Sequence, residues 1–418
     1  MERGPSNRMR GTLKYWGREG FGIAPDDYHE SRATVECPFN FSGRWPAFLE
    51  ADPAFPTGIC AIAPGARLAW DAQRHSIYSI LHGRRILALL FVASATAASA
   101  ADYKVIAHYP IDGDVRYDYL RVDPAMRRLY VSHGDRVDVL DADSGTKLGE
   151  IAPMNGIHGI AIVPGLKRGF ITAGSDRAVV MFDVETLKII KVITGLGVKP
   201  DAIEYDPETQ RIYVANGASG GITVIDPAKG EITATIPIDG KLEGLAFDGK
   251  GRLFVNTEDK SMIQVIDTHA LKPVASWSIA PVEGGTGLAI DVAHHRLFSA
   301  GGNEKLAVVD SDTGRLVATP EIGSDPDGDA FDPESGLIFT SNMVGTLSVV
   351  REDSPDAYSA AQTLTTAFGA RTIALDAKTG RLFLATGKFM PAPAPTADNP
   401  RPRRKGQAGT FEVLVVGR

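Results

Sequence analysis

An all-β ring, a seven-bladed β-propeller closed by an N-terminal strand completing the last blade, is what this sequence predicts. Three observations predict it. The first is a repeat. Seven copies of one pattern run from YLRVDPAMRRLYVSHGDRVDVLDADSG to IALDAKTGRLFLATG, and their second-strand aromatics are Tyr130, Phe170, Tyr213, Phe254, Phe298, Phe339 and Phe383. These are spaced 40, 43, 41, 44, 41 and 44 residues apart, a period that marks propeller blades. The second is strand grammar. Short apolar runs such as VDVLD, ITVID and LAVVD are divided by Asp-Pro, Ser-Gly, Lys-Gly and Thr-Gly turns, and no period of 3.6 persists among them. The third is a pair of incomplete ends. The seventh copy has RTIALD, RLFLAT and TFEVLVVG (410–417) and then lacks a strand, while YKVIAHYPI (103–111) stands unpaired before the first copy. A ring closed by 103–111 leaves few exposed edges, which an open solenoid or a β-sandwich would not achieve.

Taken in order, residues 1–82 lack the repeat and hold both cysteines, Cys37 and Cys60. They read as an irregular extension upstream of a misassigned start, with a genuine extension as the competing reading. No Met lies between Met9 and Met126, so the expected start is a non-AUG codon, for example near Leu81. Residues 83–100 read as a secretory signal peptide. Arg84 and Arg85 supply positive charge, Ile86 to Val92 a short apolar core, and Ala98-Ser99-Ala100 a cleavage site. The apolar run is too short for a spanning helix, which needs about 20 residues. General secretion is favoured over twin-arginine export, and the expected location is the periplasm with no membrane span after cleavage.

Residues 101–418 form the propeller, with repeats from about 117, 160, 203, 245, 288, 329 and 371. This part has no cysteine, which excludes disulfides and thiol catalysis. It holds 33 Lys+Arg against 42 Asp+Glu, a net charge of −9 within a whole-chain value of −7. That argues against a broad nucleic-acid surface. One long interruption, KFMPAPAPTADNPRPRRKGQAG (388–409), separates two strands of the last blade. It is Pro-rich, with Arg401, Arg403, Arg404 and Lys405 at its end, and its prolines cannot donate to a ladder. It reads as a flexible excursion or a partner-docking loop.

The repeats RIYVANGASGGITVIDPAKGEITATIPIDG and RLYVSHGDRVDVLDADSGTKLGEI resemble the YVTN-repeat bacterial β-propellers over about 103–418. The resemblance implies an exported propeller; many members have no established activity. At superfamily level it extends to lactonase propellers and to the propeller subunits of quinoprotein and haem-dependent dehydrogenases. Fold does not fix function, so activity has to be argued from a site.

In a propeller the first strand of each blade lines the central channel. Aligning the copies puts one residue per blade at the channel mouth, just before that strand: Asp118, His158, Asp201, Glu243, Thr286, Asp327 and Arg371. Gly159, Ala202, Gly244, Gly287 and Gly328 follow them, so polar groups should converge with little bulk behind them. His158, Asp201 and Glu243 are candidate ligands of a divalent metal. Arg371 with His158 is a candidate grip on a small anion. A solvated mouth tied by ion pairs is the bland alternative. The third-strand aspartates Asp141, Asp183, Asp226, Asp267 and Asp310 read as turn formers, and His294 and His295 as exposed turn residues. No zinc finger, phosphate loop, dinucleotide fingerprint or nucleophile elbow is present. The expected role is a non-enzymatic ligand-binding or protein-interaction module, its partner a protein or a small anion and its cofactor a divalent metal. The alternative is a lactonase-like hydrolase or isomerase at the mouth.

Overall fold

A computed structural model describes residues 102–394, 396 and 402–418. The extension 1–82, the signal-peptide segment 83–100 and Arg401 lie outside the described residues. Every sheet is a four-stranded antiparallel blade, and seven blades form the ring. Six blades use four consecutive strands each. Blade three, for example, runs Pro200–Asp206, Arg211–Asn216, Ile222–Asp226 and Glu231–Ile236. Blade seven is built from Ala374–Asp376, Arg381–Thr386, Glu412–Gly417 and, outermost, Lys104–Pro110. Closure by the N-terminal strand is therefore observed, with Val105 opposite Val416 and Tyr109 opposite Val413.

The repeated aromatics explain why the blades stand face to face. All seven are fully buried at 0% exposure. Each lies on the second strand, packed against the following blade: Phe170 against Ile203 and Ile212, Phe383 against Leu120, Val122 and Leu129. The core is thus a circle of interfaces with no single centre. The last interface joins Phe383, Phe411 and Val413 to blade one and to Tyr109 of the closing strand.

Turns follow the aspartates. Asp141 accepts the Ser144 amide at 2.8 Å, Asp183 the Thr186 amide at 2.7 Å and Asp310 the Thr313 amide at 2.9 Å. The Pro-rich loop has a paired stem, which the sequence reading did not anticipate. The Met390 amide donates to Lys405 and the Gln407 amide to Lys388, both at 2.8 Å. Those donors are not prolines, so the ladder survives at the stem. Arg404 stacks over Phe368 at 4.4 Å and Phe389 meets Phe368 edge-on at 5.2 Å, which pins the loop's base to the ring.

Candidate functional site at the channel mouth

The mouth residues owe their direction to a backbone device. In blades two to five the first strand starts earlier than the repeat suggested, at Ile157, Pro200, Leu242 and Gly285. Its register then slips between Ile157 and Ile160, Pro200 and Ile203, Leu242 and Leu245, and Gly285 and Leu288. His158, Asp201, Glu243 and Thr286 therefore lie inside the strand, within a bulge, rather than just before it, and Asp327 does the same in the blade-six strand Pro326–Asp332, whose register shifts between Pro326 and Gly328. A bulge re-aims a side chain, here toward the axis. Asp118 and Arg371 do precede their strands. Small residues follow because neighbouring first strands nearly touch. A Cβ at Gly159 would lie 2.8 Å from the Asp201 carbonyl oxygen, and one at Gly244 would lie 2.7 Å from that of Thr286.

A second set of residues fixes the mouth, and the sequence reading missed it. Two positions after the core aromatic, Ser132, Thr172, Asn256 and Ser341 donate to the next blade's mouth carbonyl. Ser132 binds the carbonyl of His158 at 2.5 Å, Thr172 that of Asp201 at 2.6 Å, Asn256 that of Thr286 at 3.1 Å and Ser341 that of Arg371 at 2.5 Å. The signal was a hydroxyl or amide two residues past the aromatic in four of the seven copies.

The structure brings five of the seven mouth residues into one network. The His158 ring, through Nδ1, is hydrogen-bonded to Asp118 and lies 3.5 Å from Asp201 Oδ1. Arg371 pairs with Asp327 and lies 3.8 Å from Asp118. Glu243 turns to Lys241 at 3.0 Å, and Lys241 is shared with Glu258. Thr286 spends its hydroxyl on the Pro326 carbonyl at 2.9 Å. The grouping with metal-ligand spacing is therefore Asp118–His158–Asp201, not His158–Asp201–Glu243. Lys199, which the repeat alignment passed over, sits 2.6 Å from Asp201.

Beneath the ring lies a cavity of about 220 Å³ lined by all seven first strands. Tyr119 stands in it where blades two to six place Gly or Ala, and its ring reaches the apolar cluster of Ala202 and Leu245 in blades three and four. Asp329 also lines it; one carboxyl oxygen accepts the Ala300 amide at 2.8 Å and the other is buried with no hydrogen-bond partner. Arg121 pairs with Glu204 in the same cavity.

Burial dominates the electrostatics. It pushes Glu243 up to about 8, aided by the negative charge of Asp201 and only partly offset by the shared Lys241. It pushes Asp329 to about 8 and Asp327 to about 6, the latter despite Arg371. Asp201 is raised by burial as well. Asp118 moves the other way: burial opposes ionisation, but the hydrogen bond from His158 and the charge of Arg371 prevail. His158 is desolvated too, yet Asp118 and Asp201 hold its protonated form more strongly. The mouth is thus a ring of ion pairs with more carboxyls than cations to neutralise them. The other edge of the His158 ring lies against Gly174, where an added Cβ would come within 2.8 Å of Nε2.

The fold and mouth define the class: a seven-bladed β-propeller with a charged channel entrance. No family model matches the chain. It is 24% identical over 230 residues to the "Uncharacterized protein YncE" of Salmonella typhi, a match covering 53% of this chain and 63% of that protein's length, less than two thirds of it. Hydrazine synthase of Kuenenia stuttgartiensis shares the fold with a TM-score of 0.50 at 16% identity, over 67% of this chain and 95% of that one. Among the described residues no helix is long and apolar enough to cross a membrane.

Proposed function

We propose that this chain is an exported propeller of the YVTN-repeat type whose channel mouth binds a small cationic ligand without transforming it. Export rests on the Arg84-Arg85, apolar and Ala98-Ser99-Ala100 order. The repeat type rests on the YVAN and ITVID runs together with the similarity to YncE. One observation carries the ligand assignment. Glu243 and Asp327 stand at the mouth and Asp329 in the cavity beneath it, and each holds its proton above the ordinary carboxylate range. Such a site lacks positive charge, and an entering cation supplies it. The small anion anticipated from Arg371 is disfavoured, because that guanidinium already pairs with Asp327 and faces Asp118. Binding is favoured over hydrolysis because Asp118 occupies one His158 nitrogen and Gly174 crowds the other edge. His158 is then not free to act as a general base at the opening.

The test is a thermal-shift series with Ca²⁺, Mn²⁺ and spermidine against citrate and phosphate, at pH 6 and pH 8. A cation at 100 times its dissociation constant adds about 2.7 kcal/mol. Cations should stabilise the protein more at pH 8, where they no longer compete with protons on Asp327 and compete less on Glu243. The effect should vanish in a Glu243→Gln, Asp327→Asn double variant. Stabilisation by the anions instead, or equal cation shifts in both proteins, overturns the reading. Lactone hydrolysis abolished by His158→Ala would restore the enzymatic alternative.

A further inference from the structure

A second group of chemistry-bearing side chains lies between blades five and six, at the opposite end of the blade-five first strand from the mouth residue Thr286. Asp291 closes the first strand of blade five (Gly285–Asp291), His294 is in the following turn, and Glu352 is near the end of a blade-six strand (Thr346–Ser354). One ligand atom from each lies within 4.8 Å of the other two. His294 Nδ1 is 2.7 Å from Asp291 Oδ2 and 3.4 Å from Glu352 Oε1. Both carboxylate side chains are only 3% exposed. Glu352 Oε2 is buried with no hydrogen-bond partner.

Comparison among the blades shows how unusual this is. The residue after the third-strand aspartate donates its amide to the preceding turn: Ala142 to Arg127, Val184 to Lys167, Thr268 to Gly251 and Ser311 to His295. The Glu352 amide makes the same bond, to Gly336. A carboxylate therefore occupies a buried slot that other blades fill with Ala, Val, Thr or Ser. The Asp291 position has its counterpart too. Asp206 and Asp376 each satisfy their second oxygen with a hydroxyl three residues on, Thr209 or Thr379, at 2.7 Å. Blade five places the His294 imidazole there instead. The third strand of blade six is also extended, nine residues against six in blades two and five, so Glu352 lies inside a strand where its counterparts lie in a turn.

Two buried carboxylates this close together favour a cation between them, and a partly exposed imidazole supplies at most one proton's charge; the Tyr358 hydroxyl, 3.3 Å from Glu352 Oε1, supplies none. The Arg296 guanidinium, which also bridges these two blades, is committed to the Pro355 carbonyl at 2.7 Å, Asp310 at 2.9 Å and Asp356 at 3.2 Å. Donors about 2.1 Å from a tetrahedral zinc ion lie about 3.4 Å apart; His294 and Glu352 stand at that separation, while the 2.7 Å hydrogen bond between His294 and Asp291 opens when the ion replaces its proton. We infer that Asp291, His294 and Glu352 form a divalent transition-metal site of the zinc class that ties blade five to blade six. One imidazole with two carboxylates suits zinc, manganese or cobalt better than magnesium or calcium, which prefer all-oxygen shells. Three protein ligands leave a coordination position open, and it faces a surface cavity of about 350 Å³ beside Phe331 and Pro333.

The experiment uses the full chain carrying His158→Gln, Glu243→Gln and Asp327→Asn, so that the Asp118–His158–Asp201 group at the channel mouth loses its imidazole. After chelation and dialysis it is titrated with Zn²⁺ by calorimetry, and with Co²⁺ followed by visible absorption. The expected result is one tightly held ion per chain and a cobalt ligand-field band. Glu352→Gln should weaken binding at least tenfold. His294→Gln alters a half-exposed side chain on which the fold does not depend, and it should weaken binding as much and change the cobalt band. No zinc binding in the parent, or unchanged affinity and cobalt spectrum in His294→Gln, overturns the inference.

Discussion

Truncating Tyr109 to Ala tests the closure of the ring at a point more than 300 residues from the strand it supports. Tyr109 is 6% exposed, its ring lies 6.4 Å from that of Phe383, and its hydroxyl donates to the Asp143 carbonyl at 2.9 Å. It also fills the space beside Gly145, where even a Cβ would come within 2.3 Å of its ring. Removing a buried aromatic side chain of this size costs about 3–5 kcal/mol, and the lost hydrogen bond about 1 kcal/mol. Against a total stability of about 5–15 kcal/mol, that is a large fraction. At about 2 °C per kcal/mol for a large domain, the melting temperature of the full chain should fall by roughly 8–12 °C. Tyr109→Phe keeps the packing and should cost only the hydrogen bond. The assay is thermal and urea unfolding followed by circular dichroism and by tryptophan fluorescence. Because every interface in the ring leans on its neighbours, both probes should shift together. A Tyr109→Ala protein that melts like wild type would refute closure by this strand.

Two further outcomes are expected. Glu243 holds its proton to about 8 when folded against 4.5 for the ordinary group. Between those values the folded chain binds more protons, so this group makes stability fall as pH rises from 4.5 to 8, a fall complete above the folded value. Glu243→Gln should flatten that fall in urea midpoints taken at pH 5, 7 and 9, and an unaltered slope would count against the buried-carboxyl assignment. N-terminal sequencing of protein recovered from the native host's periplasm should begin at Ala101 or Asp102; retention of residues 1–82 would rule out the signal peptide.

The sequence by itself determined the architecture. A repeat read seven times over is a signal that single strands lack, and buried aromatics at a fixed period can be satisfied only by stacking like units. The closing strand was legible for the same reason: a blade short of one strand and a strand short of a blade are complementary. The alignment also picked out seven equivalent positions, five of which the structure joins in one network, because the repeat carries equivalent residues to equivalent places. What it could not supply was the local backbone geometry and the pairings that depend on it. The bulges that turn His158, Asp201, Glu243 and Thr286 inward are slips of register between paired strands, and a repeat alignment does not encode them. Which carboxylate His158 takes, and that Lys241 draws Glu243 aside, depend on distances of a few ångströms across blade boundaries. The Asp291–His294–Glu352 group was hidden for a further reason. Its three residues look like turn and strand-end residues in the linear chain, and only the packing of blade five on blade six buries two carboxylates beside one imidazole.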